Sequence, residues 1–390
     1  MGCFGDFARE IYLRGVGGER PDLPMTADGL EAAARGVLSA EAFSYVVGGA
    51  STERTMAANR EAFARWRIVP RMLRGITERD LSTTVLGTPM RAPVLTAPVG
   101  VLSLVHPDAD VGVARAAATL GLTSVQSTAS STTLEEVATA TPDAHRWYQL
   151  YWPRDPELAE SLVGRAQAAG YRAIMVTVDT WSLGWRPRDL ELAHLPFLQA
   201  KGIANYLSDP VFRSRLDALP EESGQAMQKA VRTWVELFGN PALSWPDLSL
   251  LRQWTRLPIL IKGICHPDDA RAAVDHGVDG MVVSNHGGRQ VDGARAALDC
   301  LPDVVAAVDG RVPVLLDSGI RCGADVVIAL ALGAQAVLLG RPWVYGLGLA
   351  GQRGVEHVLR VVLGDLDLTM ALAGYACPGD MSAQSVVRDG

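Results

Sequence analysis

From residue 92 onward the chain keeps a regular beat of hydrophobic and polar positions. Short apolar runs of strand length are each followed by an alanine-rich stretch of helical length that closes on glycine. This pattern predicts strands at 93–97, 123–127, 147–151, 173–178, 258–262, 280–284, 313–317 and 336–340. It predicts helices between them at 111–120, 133–139, 156–169, 267–276, 301–308 and 324–332. Strands alternating with helices indicate βαβ units and a parallel sheet, and eight such units fit a closed (β/α)8 TIM barrel. A doubly wound open sheet is the alternative. It is disfavoured because no G-x-G-x-x-G opens the first helix. Two stretches stand outside the beat. Residues 1–91 read as an N-terminal helical extension, with a helix, a Gly48-Gly49 break and a second helix across 38–63. Residues 179–257 separate the fourth strand from the fifth, carry Trp181, Trp185, Trp234, Trp245 and Trp254, and show no strong strand. An excursion of this length at a barrel's catalytic face reads as an ordered, lid-like insertion. The whole of 1–390 is expected to form one barrel domain.

Composition narrows the function. The chain is 48% hydrophobic and 20% charged, so a large core is expected and wholesale disorder is not. Its net charge is −7 and it has no dense Lys/Arg tract, which argues against nucleic acid or an anionic membrane as partner. The five cysteines, at 3, 265, 300, 322 and 377, form no C-x-x-C pair and read as reduced thiols in a cytoplasmic protein. No apolar run reaches transmembrane length. The N-terminus lacks the basic and apolar regions of a signal peptide. Met1-Gly2 begins as a myristoylation site would, but Asp6 stands at the Ser/Thr position and excludes it. No metal is expected, because there is no H-E-x-x-H, no Cys/His cluster and no calcium-loop pattern.

Candidate chemistry collects where the predicted strands end, which is where barrels carry function. Ser284-Asn285-His286-Gly287-Gly288-Arg289-Gln290 follows an apolar strand, and its two glycines let the backbone approach a ligand. His286 titrates near neutral pH, and Arg289 offers a planar fork for a carboxylate. Read alone, the motif also fits a surface turn with a solvated arginine. The other strand ends count against that. They present Pro98, Val99 and Gly100; Gln126 and Ser127; Gln149 and Tyr151; Thr177 and Asp179, with Arg186 shortly after; Lys262; Asp317; and Gly340-Arg341. Asp317-Ser318-Gly319-Ile320-Arg321 and Gly340-Arg341 follow strands seven and eight, the usual phosphate site of this fold. A lysine at strand five then suits the ring of a phosphorylated flavin, whose reduced form carries negative charge and needs a nearby cation. Two other classes stay open at this point. One is a non-redox phosphate-binding isomerase or aldolase, and the other is a barrel kept as an interaction scaffold.

These residues resemble the FMN-dependent α-hydroxy acid oxidase and dehydrogenase family. The resemblance runs from about Leu38 to Tyr375 and rests on Tyr148-Gln149-Leu150-Tyr151, Thr177-Val178-Asp179-Thr180, Ile261-Lys262-Gly263, Ser284 to Gln290 and Asp317 to Arg321. Gly184-Trp185-Arg186-Pro187-Arg188-Asp189-Leu190 in the insertion is similar to the lactate 2-monooxygenase branch. The resemblance implies FMN as cofactor, a small L-2-hydroxy acid and O2 as partners, and a homo-oligomer, tetramer or octamer. It implies that His286 takes a proton from the substrate, Asp179 stabilises the protonated ring, Arg186 and Arg289 hold the carboxylate, and Tyr45 and Tyr151 donate to the substrate. It further implies that Lys262 stabilises reduced flavin, that Pro98, Val99, Gly100, Ser127, Gln149, Thr177 and Ser284 lie along the flavin, and that Asp317, Gly319, Arg321, Gly340 and Arg341 belong to the phosphate loops. The activity it implies is conversion of L-lactate and O2 to acetate, CO2 and water. An oxidase releasing 2-oxo acid and peroxide, on a larger substrate, is the alternative. Two positions depart from the family pattern. Gly100 replaces the usual alanine and is expected to leave room beside the flavin. Ala129 replaces a larger apolar residue and is expected to widen the pocket.

Overall fold

The computed structural model describes residues 3–389. Met1 and Gly2, where the myristoylation reading falls, lie outside the described residues, as does Gly390. The eight apolar runs form one closed parallel barrel. Its strands are β1 (Val94–Thr96), β2 (Thr123–Ser127), β3 (Arg146–Leu150), β4 (Ile174–Thr177), β5 (Ile259–Ile264), β6 (Gly280–Val283), β7 (Val314–Leu316) and β8 (Ala336–Leu339). Each pairs with its sequence neighbour, and β8 closes on β1 with Val337 opposite Val94.

Side chains alternate across the barrel wall. Leu95, Met175, Leu260, Val282 and Leu315 fill the interior, while Val94, Ile174, Ile259, Ile261 and Met281 face the surrounding helices. That period of two is what a pleated strand imposes. A short antiparallel pair, Thr83–Val85 with Thr88–Met90, seals the barrel end opposite the strand exits, burying Val85 and Met90 in the interior cluster. Trp147 Nε1 donates to Thr88 Oγ1 at 3.2 Å and ties that plug to β3. The N-terminal segment is therefore not wholly helical, as the sequence suggested. Its helices Asp6–Val16, Ala27–Arg35, Ala40–Val47 and Arg54–Ala64 are followed by the plug and by Trp66–Ile68, which pairs with Val386–Arg388. The predicted break at Gly48-Gly49 falls between the third and fourth helices. A 33-residue helical run, Arg341–Ala373, follows β8 and breaks its helical geometry at Ala350 and Gly351.

The stretch between β4 and β5 has its own aromatic core. Phe197 stacks on Trp234 with centroids 4.8 Å apart, and Trp234 meets Phe238 at 4.7 Å. Tyr206 meets Trp234 edge-on at 6.1 Å, and Tyr206 and Phe212 are fully buried. Arg165 on the helix after β3 donates to Asp209 Oδ2 at 2.9 Å and also pairs with Glu135, which fastens the insertion to two barrel helices. No helix among the described residues is long and apolar enough to cross a membrane.

Candidate active site

The strand exits open into one cleft. It encloses about 1140 Å³ of space, mouth included. Tyr45, Pro98, Val99, Gly100, Tyr151, Arg186, Lys262, His286, Arg289, Asp317, Gly319, Arg321, Gly340 and Arg341 all face this space. Ser127, Gln149, Thr177, Asp179 and Ser284 are not among its lining residues.

The centre is a buried pair. Asp179 Oδ1 lies 2.8 Å from His286 Nδ1, and Thr180 Oγ1 lies 3.0 Å from the same nitrogen while donating to Asp179 Oδ1 at 2.8 Å. Burial alone would raise the Asp179 carboxyl, but the His286 ring and the Lys262 ammonium outweigh it and hold the group down to about 2. An ionised Asp179 places the imidazole proton on Nδ1, which leaves the Nε2 lone pair facing the cleft. Burial, reinforced by Lys262 and Arg186, holds His286 below the ordinary histidine range, with Asp179 opposing, so the ring is neutral at physiological pH. His286 itself adopts φ 57°, a left-handed backbone that a non-glycine residue takes only when its surroundings enforce it. They do so here: a Cβ at Gly288 would sit 2.6 Å from the Met56 backbone nitrogen, so the loop can approach the Arg54–Ala64 helix only through glycine.

Lys262 is buried between two acidic groups. Its Nζ lies 3.2 Å from Asp317 Oδ2 and donates to Ser284 Oγ at 3.0 Å. Burial opposes its charge, but Asp317 and Asp179 raise its pKa and keep it protonated. Asp317 also accepts from Ser318 Oγ at 2.7 Å. It thus serves as the lysine's counterion.

The arginines divide into two kinds. Arg341 donates to the carbonyls of Val46, Gly48 and Gly287 at 3.0–3.1 Å, and Arg289 Nη1 donates to Gly48 O at 2.7 Å with its guanidinium 5.1 Å over the Tyr45 ring. They draw the Tyr45 segment into the cleft. Arg321 uses only Nη1, on Ile320 O, and Arg186 leans on Gln290 Oε1 at 2.9 Å. None of the four forms an ion pair with a carboxylate among the described residues. Five cationic side chains line the cleft against one carboxylate, Asp317. The consequence is visible in their acidity. Burial, then repulsion from Arg289, lowers Arg186 to about 10 and Arg341 to about 9, and burial lowers Arg321. Such a cluster is arranged for anions that the protein does not supply.

Sequence reasoning missed several of these parts. Gln290 Nε2 donates to the carbonyls of Asp179 and Ser182, at 3.0 and 2.8 Å, and its Oε1 receives Gly184 N and Arg186, so it joins the β4 and β6 loops. Glu53 receives a two-pronged pair from Arg188, 2.7 Å on each arm, and accepts from Gly49 N at 2.9 Å. This fixes the Tyr45 segment against the start of the insertion. Gln290 and Arg188 both stood inside quoted motifs; their partners lie far off in sequence. The expected room at Gly100 is absent: a Cβ there would lie 2.8 Å from both the Cβ and the carbonyl oxygen of Ala129. The glycine is needed because the β2 loop presses onto it.

A flavin mononucleotide can be tested against orphaned polar atoms. Gln149 Nε2 and Thr177 Oγ1 are buried without a hydrogen-bond partner at the ends of β3 and β4, and Ser127 Oγ already holds Gln149 Oε1 at 2.9 Å. A ring edge rich in carbonyls and N–H groups would offer partners to both. At the other end of the cleft, Arg321 and the N-terminus of the helix after β8 suit a phosphate. The residues fit the cofactor.

Comparison with known proteins agrees. The model of the FMN-dependent dehydrogenase family matches residues 34–388. The chain belongs to the FMN-dependent α-hydroxy acid oxidase family. It is 42% identical over 386 residues to the FMN-dependent alpha-hydroxy acid dehydrogenase qulF of Penicillium citrinum, covering 99% of this chain and 96% of that protein. It is 42% identical over 365 residues to an L-lactate oxidase of Lysinibacillus sphaericus, covering 94% and 93%. The crystal structure of a mandelate oxidase superposes with a TM-score of 0.81 at 39% identity, covering 93% of this chain and 98% of that one. This family member is therefore an FMN-dependent oxidoreductase acting on 2-hydroxy acids. The isomerase, aldolase and scaffold readings fall away.

Proposed function

We propose that the protein oxidises an L-2-hydroxy acid and passes the electrons to O2. The observation that carries this reading is the neutral His286, oriented by an ionised Asp179 and set beside Arg186 and Arg289. In the reaction proposed, the two arginines hold the substrate carboxylate by charge-assisted bonds. Tyr45 and Tyr151 donate to the substrate's oxygen atoms; burial raises the pKa of both phenols, so both remain donors. His286 Nε2 accepts the substrate's proton, and Asp179 stabilises the imidazolium that results. FMN, when bound, would supply the acceptor for the two electrons and the second proton that the substrate gives up. Lys262 neutralises the charge that reduction brings to the ring, and Gln149, Ser127, Thr177 and Ser284 orient its edge. Asp317 and Ser284 hold Lys262 in place, while Gly319, Arg321 and the helix beginning at Gly340-Arg341 receive the phosphate.

The relatives named as oxidases support release of the 2-oxo acid with hydrogen peroxide. A second reading, conversion to the shortened acid, CO2 and water, is favoured by the packed insertion, which sets Leu183, Phe197 and Phe238 along the cleft. Such a wall slows product escape while oxygen reacts. The test is turnover of the FMN-loaded protein in air on L-lactate and longer L-2-hydroxy acids, with 2-oxo acid, shortened acid and peroxide measured together. Equal amounts of 2-oxo acid and peroxide support the oxidase. Shortened acid without peroxide supports the oxygenative outcome. Absence of flavin bleaching with every acid refutes both.

A further inference from the structure

The turn that carries His286 leans on the N-terminal extension. Residues 285–297 run along the helix Arg54–Ala64 and are tied to it at several points. Asp292 accepts from Thr52 N at 3.0 Å and from Thr55 N at 2.9 Å, and Thr55 Oγ1 accepts from Ala294 N at 2.9 Å. Beside these lies a reciprocal amide pair. Asn59 Nδ2 donates to Asn285 Oδ1 at 2.8 Å, and Asn285 Nδ2 donates to Asn59 Oδ1 at 2.8 Å. Asn59 is 2% exposed. Its Oδ1 also accepts from Ala297 N at 3.0 Å, and Asn285 Nδ2 also donates to Arg295 O at 3.1 Å. The helix is itself wedged in place, because a Cβ at Gly319 in the β7 loop would collide with Asn59 O.

Asn285 also closes the turn. Its Oδ1 accepts from Gly288 N at 3.2 Å, across His286 and Gly287. His286, Gly287 and Gly288 have φ of 57°, 63° and 75°. A histidine keeps such a backbone only where its surroundings over-determine it. Gln290 secures the far end of the turn on the β4 loop, and the Asn285 amide secures the near end. We propose that Asn59, acting through Asn285, is a positioning residue for His286: it holds the base in its left-handed conformation with Nδ1 on Asp179 and Nε2 toward the substrate. This role rests on the functional reading above and deepens it. Two amides suit the task because each brings a donor and an acceptor without a charge, and a charge here would shift the titration of the Asp179–His286 pair. Without the pair, His286 can relax toward negative φ and its ring leaves Asp179 Oδ1. Arg289 keeps its own tie to Gly48 O and Arg186 its tie to Gln290, so the carboxylate clamp stays.

The experiment follows anaerobic flavin bleaching in the FMN-loaded protein, using the fastest of L-lactate, L-2-hydroxybutyrate and L-2-hydroxyvalerate. Asn59→Leu nearly keeps the volume and removes the pair. Its limiting rate at saturating acid should fall roughly 10²-fold, while the acid concentration for half-saturation changes by less than about threefold. Asn59→Asp still accepts from Ala297 N and Asn285 Nδ2 and should recover about 10-fold of that loss. Asn285→Ala should resemble Asn59→Leu, and the double variant should be no more than about threefold slower than the slower single, because both break one pair. Losses that multiply in the double variant overturn the inference. So does a limiting rate for Asn59→Leu within about threefold of wild type, or a loss confined to half-saturation. Loss of FMN from both Asn59 variants also overturns it, since the residue would then support the fold at large. A wild-type flavin that none of the acids bleaches overturns the functional reading and this inference with it, and that outcome is seen before any variant is made.

Discussion

Replacing Asp179 with asparagine isolates the buried pair at the centre of the cleft. The substitution keeps shape and removes one charge. In the folded protein the Asp179 carboxyl is held from 3.8 down to about 2, against a burial effect that pushes the other way. That net displacement corresponds to roughly 2–3 kcal/mol left over after the burial penalty, so the attraction shared among His286, Lys262 and Thr180 is larger still. The imidazolium loses its part of this when the carboxylate goes. Tautomerism adds a second cost. An amide can present its NH2 to His286 Nδ1, which moves the ring proton to Nε2 and blocks the lone pair aimed at the substrate. Together these should slow flavin reduction roughly 10²–10⁴-fold while FMN stays bound. The pH dependence has a definite sign. Asp179 raises the His286 pKa, so its loss lowers it further, and the acid limb of the reduction rate moves to lower pH. Anaerobic stopped-flow bleaching across pH measures both effects. A rate within threefold of wild type, or an acid limb displaced upward, would refute the argument.

Two further changes probe the supports of the site. Arg188→Gln breaks the pair with Glu53 that fixes the Tyr45 segment to the insertion, and KM should rise about 3–10-fold with kcat little changed, as loss of a half-exposed bidentate pair allows; equal loss in kcat and kcat/KM would show a different role. Asp110 is buried beneath the β2 loop, where it accepts from Ser131 N at 2.9 Å, and burial raises its carboxyl to about 6. A raised carboxyl favours folding below pH 3.8 and loses that contribution as pH climbs through about 6. Between pH 5 and 7.5 this loss is roughly 1–2 kcal/mol, and Asp110→Asn should remove it from the difference in unfolding free energy measured with FMN present; an unchanged slope would mean the carboxyl is solvated.

The barrel was legible because buried parallel strands leave continuous apolar runs, and because polar and charged groups end them. Asp179, Lys262 and His286 could be placed from strand position alone. What escaped were partnerships between distant segments. Glu53 reads as an ordinary surface acid until Arg188 is brought against it, and Gln290 shows no sign of bridging two loops until both are folded. Gly100 shows the opposite error. Considered by itself it implied space, but the space belongs to Ala129. The helix after β8 escaped because Gly346, Gly348, Gly351 and Gly354 weaken a helical signal that tertiary packing restores. The three-residue strands at Trp66–Ile68 and Val386–Arg388 pair the N-terminal extension with the C-terminal segment and have no local signature.

These long-range ties share a logic. In a chain of net charge −7, the cleft gathers five cationic side chains against one carboxylate. Arg289 and Arg341 are restrained by carbonyls, chiefly Gly48 O, which offer partial charge without neutralising the guanidinium. Carboxylates in their place would have satisfied the arginines and cancelled the field that attracts an anion. Holding cations with carbonyls therefore preserves the field and at the same time fixes Tyr45, whose helix ends at those carbonyls. Burial and the repulsion from Arg289, which together lower the pKa values of Arg186 and Arg341, are offset by an anion that enters the cleft. On the function proposed above, the cofactor phosphate and the substrate carboxylate would each do so, and each would thereby stabilise the folded site in proportion to its binding.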